Sequence, residues 1–329
     1  MPEKLAAFFK ADKLKAHKRI GRIGVSELQD VLMARIPANG ISLEYDTFGS
    51  QRERPLLLVM GLGAQMIHWR DEFCELLAEA DHFVIRFDNR DSGLSEKFGH
   101  LGVPDIGELA MRLMAGEPAE APYTLDDMAA DAFGLLDALD VETAHLCGAS
   151  MGGMIVQAMA LNAPHRVRSL TSIMSSTGNP TLPPATEAAM AAMLSPAATG
   201  RDEAIERTLR VSRVIGSPGY PVAEDLARAR AAESYDRAFY PEGVSRQMAA
   251  ITAHGNRRPR LEVLDLPALV IHGAADPLVR VEGAHDTHQA LKGSTIRVLE
   301  GMGHDLPEPL WPEIVEAIVD LTGRADRAV

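Results

Sequence analysis

The stretch AHLCGASMGG, residues 144–153, decides the fold class of this chain. Its apolar first half is typical of a buried strand, and a helical pattern follows at once from Met154 to Leu161. Between them, Gly148-x-Ser150-x-Gly152 describes a sharp strand-to-helix turn that lifts a serine hydroxyl above a sheet. Small residues are needed there because the serine backbone is strained and its neighbours crowd it. The motif is common alone, but its position between a strand and a helix makes it a specific sign of a nucleophilic serine.

The rest of the chain supplies the sheet that such a turn needs. Apolar strand patterns alternate with helical patterns, which predicts an α/β fold with a mainly parallel sheet flanked by helices. The first two strands flank Asn39-Gly40, a strong hairpin signal. The predicted strands cover residues 34–37, 41–45, 55–60, 82–87, 144–147, 167–174, 267–271 and 295–299.

The strand pattern stops between two late strands, and this break predicts the domain organisation. Residues 176–261 combine eight prolines with Ala-, Met- and Arg-rich helical stretches, which is typical of a helical cap, or lid, rather than a long loop. The core that contains the sheet is then expected at 34–175 and 262–329. Residues 1–33 are predicted to form an N-terminal helical arm, because Leu5, Phe8, Phe9 and Leu14 have helix-like spacing. A membrane-surface helix is the alternative there, but an arm packing on its own domain or on a second subunit is favoured, so a homodimer is possible.

Composition excludes several classes of partner. The 329 residues carry a formal net charge of −13, which argues against nucleic acid or an anionic membrane surface. No apolar run reaches transmembrane length, so stable membrane insertion is not expected, and no secretory signal is evident, so a cytoplasmic location is expected. The two cysteines, Cys74 and Cys147, suggest no disulfide framework.

A serine hydroxyl needs a base to take its proton and an acid to orient that base. The carboxyl ends of parallel strands share one crevice, so both partners should follow later strands. Asp276 follows the strand at 267–271, and His304 follows the strand at 295–299. Asp265 precedes its strand, and Asp305 is too close to His304 to reach the far side of its imidazole. The predicted triad is therefore Ser150, Asp276 and His304.

The oxyanion of an acyl-transfer intermediate needs fixed hydrogen-bond donors. The backbone N–H of Met151, directly after the serine, is the first candidate, and the N–H of Leu62 in the loop after residues 55–60 is the second. We expect the substrate to be a small molecule. Weaker candidates for contacts with it follow the same loop, namely Met66, His68 and Trp69.

The remaining polar candidates are expected to be structural. His285 and His288 lack further ligands at suitable spacing, so neither a metal site nor a cofactor is predicted. We expect His272 to make a structural hydrogen bond at its strand end. Asp88, Arg90 and Asp91 are expected to brace the loop around the site.

With these residues the chain resembles the α/β-hydrolase family over residues 36–321, including the order Ser, Asp, His and the segment Asp-x-Arg-x-x-Gly-x-Ser at 88–95. Within that family the segments at 58–61, 85–91 and 301–304 are similar to the esterase branch that includes aclacinomycin methylesterase. One departure is Met60-Gly61, where many relatives carry His-Gly. Serine at the elbow, where haloalkane dehalogenases and epoxide hydrolases of this fold carry aspartate, argues against those chemistries.

The predicted function is hydrolysis of carboxylic esters through an acyl-enzyme. The many methionines, among them Met190, Met193 and Met248, leave open an adaptable apolar pocket for a bulky group. The predicted triad and oxyanion donors could equally open a lactone, including a macrolide lactone, or hydrolyse a C–C bond, an amide or a peptide. Fold analogy does not separate these reactions. The alternative outside the enzymes is a ligand receptor that keeps the triad and has only vestigial hydrolase activity.

Overall fold

A computed structural model describes residues 34–117 and 120–327 of the chain. The arm predicted over residues 1–33 lies outside the described residues. None of the helices in the described part is long and apolar enough to cross a lipid bilayer.

Eight strands form one sheet in the order β1-β2-β4-β3-β5-β6-β7-β8. From β4 to β8 every neighbouring pair is parallel, β2 pairs antiparallel with β4, and β1 and β2 form the hairpin predicted at Asn39-Gly40. The predicted α/β fold with a mainly parallel sheet is therefore confirmed. The strand bounds are β1 Ala34–Ala38, β2 Ile41–Phe48, β3 Arg54–Val59, β4 His82–Phe87, β5 Ala144–Ala149, β6 Val167–Ile173, β7 Ala268–Gly273 and β8 Thr295–Leu299.

Eleven α-helices are assigned within the described residues. They are α1 Asp71–Ala78, α2 Ile106–Met114, α3 Leu125–Ala138, α4 Met151–Asn162, α5 Glu187–Met193, α6 Arg201–Ile215, α7 Glu224–Arg237, α8 Pro241–His254, α9 Arg258–Leu261, α10 Glu282–Ala290 and α11 Trp311–Arg327. Short 3₁₀ turns occupy Met66–His68, Gly99–Leu101, Pro164–Arg166 and Glu308–Leu310. Helix α3 starts with a capping box between Thr124 and Asp127. Helix α11 remains packed near its end, since Thr322 and Ala325 are buried.

Two apolar cores form because side chains alternate between the faces of each strand. Leu57 and Val59 pack with α3 and α4 on one face, whereas Leu56 and Leu58 pack with α1 and α11 on the other. Every residue of β5 is buried, as expected for a central strand covered on both faces. The strand that leads to Ser150 is thus held by packing from both sides.

Helices α5 to α9 all lie between β6 and β7. The cap predicted over residues 176–261, called the cap segment below, corresponds to this part of the chain. The segment has a small apolar cluster of its own around Ile205, Leu209 and Ala231. Its role as a lid stays a prediction.

A buried histidine of β5, His145, predicts how stability depends on pH. Burial lowers the pKa of His145 to about 4, against the attraction of the Asp326 carboxylate. The unfolded chain therefore binds more protons than the folded chain between pH 6.5 and about 4. The free energy of unfolding falls as the pH falls through that window, and the contribution of His145 is complete above it. In urea unfolding at several pH values, His145→Gln should show a shallower pH dependence than the wild type.

The matched control for this prediction is His165→Gln, since His165 is exposed on the surface. It should keep the wild-type pH dependence of the free energy of unfolding. An unchanged slope in His145→Gln would contradict the prediction.

Candidate active site

Ser150 occupies a strained turn between β5 and α4. Its φ is 56°, in the left-handed region that residues other than glycine seldom adopt. The flanking glycines are needed because a Cβ on Gly148 would lie 2.1 Å from the carbonyl oxygen of Gly152, and one on Gly152 would lie 2.0 Å from that of Val59. The turn is held by the Ser150 N–H, which donates to Ile173 O at 2.9 Å. The serine hydroxyl therefore stands in a fixed place at the carboxyl end of the sheet.

The structure brings Ser150, His304 and Asp276 into one hydrogen-bonded chain. His304 Nε2 lies 3.0 Å from Ser150 Oγ, and His304 Nδ1 lies 2.7 Å from Asp276 Oδ2. The other oxygen of the buried Asp276 carboxylate accepts the N–H groups of Leu278 and Val279, at 2.8 and 2.9 Å. The acid is thereby oriented by its own loop, and the imidazole is placed to take a proton from the serine.

The two competing acids lie elsewhere. Asp265 is exposed and precedes β7, at the opposite end of the strand. Asp305 is turned away from the imidazole and accepts a hydrogen bond from the Ser217 hydroxyl. Burial raises the pKa of Asp305, against the hydrogen bonds from Ser217.

Two backbone N–H groups are available beside the serine. Among the described residues, the N–H groups of Leu62 and Met151 have no hydrogen-bond acceptor. Met151 is the first residue of α4, where the helix dipole favours negative charge. Gly61, next to Leu62, lies against the serine, since a Cβ there would approach Ser150 Cβ to 3.0 Å. These are the donors that the sequence predicted for an oxyanion.

Residues 88–95, called the motif loop, connect the parts of the site. The buried Asp88 accepts the N–H groups of Met66 and Leu94 at 2.7 and 2.8 Å. Asn89 donates to the carbonyl oxygen of Met60 at 2.9 Å, at the start of the loop after β3. Arg90 binds the Asp131 carboxylate of α3 with two hydrogen bonds of 2.6 and 2.8 Å. These contacts agree with the bracing role expected of this loop.

Three side chains of the cap segment bind the motif loop and its neighbours, and sequence reasoning missed all three. Arg237 forms a 2.7 Å ion pair with Asp88, and Arg246 forms a buried bidentate pair with Asp91. Gln247 accepts the N–H of Gly63 at 2.7 Å and donates to Arg90 O at 2.8 Å. For Arg246 and Gln247 the available signal was an Arg-Gln pair inside an otherwise mainly apolar helical stretch, and helical periodicity did not show which way the pair faces.

The histidine loop, residues 300–305, also contacts the cap segment. The N–H of His304 donates to Ile215 O at 2.7 Å, and that of Gly303 donates to the Ser217 hydroxyl at 2.9 Å. A Cβ on Gly303 would lie 2.3 Å from the carbonyl oxygen of Gly216, so the two loops pack backbone to backbone. The turn after α6 thus holds the backbone of His304.

The predicted substrate contacts differ in where they lie. Met66 and Trp69 have no exposed surface, and Trp69 stacks on Phe73 with 5.5 Å between ring centroids. Both side chains therefore fill space inside the protein. His68 is exposed, and its Nδ1 lies 3.0 Å from Gln65 O. Of the three, His68 alone presents its side chain to solvent.

Two of the other histidines, His272 and His288, have structural partners. His272 Nε2 lies 2.7 Å from Val279 O, so the ring helps to hold the loop that carries Asp276. His288 Nδ1 lies 2.7 Å from Ser294 Oγ. Within residues 34–117 and 120–327, no group of three or more histidine, cysteine or acidic side chains is placed to hold a metal ion.

Comparison with known proteins agrees with this architecture. The chain is 29% identical to a rhodomycin D methylesterase from a Streptomyces species, over 86% of this chain and 95% of the relative. It is 28% identical to a 3-oxoadipate enol-lactonase from Acinetobacter baylyi, over 80% of this chain and 87% of the relative. In structure it is similar to a meta-cleavage product hydrolase from Pseudomonas fluorescens, with a TM-score of 0.69, 21% identity, and coverage of 89% of this chain and 98% of the other.

The family assignment rests on the sequence as well as on the fold. The sequence profile of the α/β-hydrolase fold family matches residues 54–308, from the start of β3 to the beginning of the last 3₁₀ turn. That range includes the serine turn, the acid loop, the histidine loop and the cap segment. This chain belongs to the α/β-hydrolase fold family.

Proposed function

We propose that this protein hydrolyses carboxylic esters through an acyl-enzyme formed on Ser150. The observation that carries the proposal is the chain of contacts from Ser150 Oγ to His304 Nε2, at 3.0 Å, and from His304 Nδ1 to Asp276 Oδ2, at 2.7 Å. A nucleophile, a base and an orienting acid in hydrogen-bond contact are what acyl transfer to a serine requires.

In the first half of the reaction, His304 takes the proton of Ser150 as the oxygen attacks the ester carbonyl. The oxyanion accepts the N–H groups of Leu62 and Met151, which have no acceptor among the described residues. The tetrahedral intermediate then collapses to the acyl-enzyme, and His304 gives its proton to the leaving alcohol. Asp276 holds the imidazole and stabilises its charged form through Nδ1–H.

In the second half, His304 takes a proton from water, and the resulting hydroxide attacks the acyl carbon. The same two N–H groups receive the second oxyanion. Collapse of this intermediate breaks the bond to Ser150 Oγ, which recovers its proton from His304, and the carboxylic acid leaves. Residues of this chain alone are sufficient for every step.

The preference for esters rests on the relative that is named for this reaction. Similarity to a rhodomycin D methylesterase extends over 86% of this chain, so it covers the cap segment as well as the core. We propose a fairly bulky apolar ester as the substrate. A lactone is the second candidate, because the enol-lactonase relative matches over 80% of this chain.

The test uses the full chain and four model compounds of similar size: methyl 2-naphthoate, p-nitrophenyl butyrate, the lactone dihydrocoumarin and p-nitrobutyranilide. We expect a burst of p-nitrophenol equal to the enzyme concentration wherever deacylation is slower than acylation, and labelling of Ser150 by a fluorophosphonate. We also expect a higher kcat/KM for the esters than for the lactone or the anilide.

The outcomes separate the candidate functions. A kcat/KM that is highest for the lactone would replace the ester assignment with the second candidate. Absence of both labelling and turnover would overturn the acyl-enzyme proposal. The matched control for loss of the Ser150 hydroxyl is Ser50→Ala. Ser50 is exposed in the turn before β3, at the opposite end of the sheet. This variant should label and turn over like the wild type.

A further inference from the structure

The loop after β3, residues 60–64 and here called the β3 loop, contains a β-turn. One N–H group of this turn binds a side chain of the cap segment. The Ala64 N–H donates to Gly61 O at 3.2 Å, which closes a four-residue turn from Gly61 to Ala64. Gly63, the third residue, has a φ of 65°. A positive φ at this position is the mark of a type II turn, in contrast to type I.

The central peptide of this turn joins Leu62 to Gly63. Type I and type II turns differ by reversal of this peptide, so its N–H and C=O exchange places between them. In this structure the N–H of Gly63 donates to Gln247 Oε1 at 2.7 Å. The side chain of Gln247 is fully buried on α8, and its amide nitrogen donates to Arg90 O at 2.8 Å. Because one end of the amide must accept and the other must donate, its orientation is determined.

Helix α8 also lies directly against the turn. A Cβ on Gly63 would come within 2.8 Å of Val244 Cγ2, one turn of helix before Gln247. The motif loop holds the other end of the β3 loop, because Asn89 donates to Met60 O. The β3 loop is therefore bound from the core at its first residue and from the cap segment at its turn.

We propose that Gln247 is a positioning residue for the oxyanion donor, and that it acts by anchoring the turn that carries the Leu62 N–H. The inference rests on the proposed function, since it assigns the Leu62 N–H to the oxyanion. Without the hydrogen bond from the Gly63 N–H to Gln247, the turn would no longer be fixed to α8, and the Leu62 N–H, one residue away in the same turn, would lose its fixed position. Donors must be in place before the reaction for their full effect, so a free turn would cost rate rather than substrate affinity.

Gln247→Met tests the proposal, because methionine keeps the length and packing of the side chain but makes neither hydrogen bond. Turnover of p-nitrophenyl butyrate is divided by the concentration of active sites, which is titrated with a fluorophosphonate. A smaller fraction of folded enzyme in the variant therefore does not lower the measured kcat. We expect kcat to fall by about tenfold to a hundredfold with KM nearly unchanged. Affinity for a trifluoromethyl ketone, which forms a tetrahedral adduct on the serine, should fall in parallel with kcat/KM.

Gln157→Met is the matched control. Gln157 is an equally buried glutamine on α4, and it binds Arg257 and Ser172 instead of the β3 loop. Its loss should leave kcat per titrated site and inhibitor affinity at the wild-type level. Equal losses in the two variants would contradict the proposal, since they would mean that any buried glutamine has this effect.

Three further outcomes decide the matter. An unchanged kcat in Gln247→Met would overturn the proposal, and so would a lower kcat with unchanged inhibitor affinity. If Gln247→Met does not fold, Gln247→Asn replaces it, because its amide is one methylene too short to reach both partners, and a fully active Asn variant would overturn the proposal. Failure of the proposed function is distinguishable, because the fluorophosphonate would then not titrate the wild type.

Discussion

Ser150→Ala should reduce ester turnover by about four to six orders of magnitude while the protein stays folded. The reason for the loss is that the hydroxyl is the only group of the proposed triad that bonds to the acyl carbon. The reason for the intact fold is that alanine keeps the Cβ and has the same backbone preferences near a φ of 56°. Turnover of p-nitrophenyl butyrate and thermal unfolding of the same samples check both parts.

A double variant of the triad gives a second test of the same mechanism, because losses of activity from residues that act together are not additive. Nucleophile and base act as a unit, so Ser150→Ala/His304→Ala should be no slower than the slower of the two single variants. Additive losses would mean that the two residues do not take part in one step, despite the 3.0 Å contact between them. Retention of a tenth of the activity by Ser150→Ala would also contradict the mechanism.

Arg246→Met should lower the free energy of unfolding by about 3–5 kcal/mol, because it leaves a buried carboxylate without its partner. Both side chains of the Arg246–Asp91 pair are fully buried. Burial by itself raises the pKa of Asp91, but the hydrogen bonds from Arg246 and Phe98 outweigh it and hold the pKa below its ordinary value. The guanidinium also donates to Gly102 O and to the Tyr240 hydroxyl, so its removal frees several groups at once.

Urea unfolding measures this effect, and the cap segment provides the control. Arg201 makes two 2.7 Å hydrogen bonds with Asp236, but both side chains are about half exposed. Solvent screens such a pair, so Arg201→Met should change the unfolding midpoint little. Adding Asp91→Asn to Arg246→Met should restore part of the loss, because no buried charge then lacks a partner. Equal effects of the two arginine substitutions would contradict the prediction.

Much of the fold and the place of the site were predictable from the sequence. The hairpin at Asn39-Gly40 and the capped start of α3 at Thr124 are local, and each depends on a few neighbouring residues. The meeting of Ser150, Asp276 and His304 was predictable for a different reason. Each follows a parallel strand, and the carboxyl ends of such strands lie at one edge of the sheet.

The positions of Met66 and Trp69 were less predictable. Their place shortly after β3 suggested substrate contacts, because that loop borders the site. The structure buries both side chains, and Trp69 stacks on Phe73 in the core. Nearness in sequence to a functional loop does not determine the direction of a side chain, which depends on the space left by the other elements.

The strand ends, the strained glycine-rich turn and the order of the three reactive side chains could be predicted from the sequence, since they follow from local patterns and from the geometry of parallel sheets. The contacts that hold the site together became visible only in the folded chain. Gln247 binds the N–H of Gly63 across 184 residues of sequence, and Arg246 is separated from Asp91 by 155. Helical periodicity shows that a residue lies on one face of a helix. Which distant backbone group meets that face depends on packing of the whole chain.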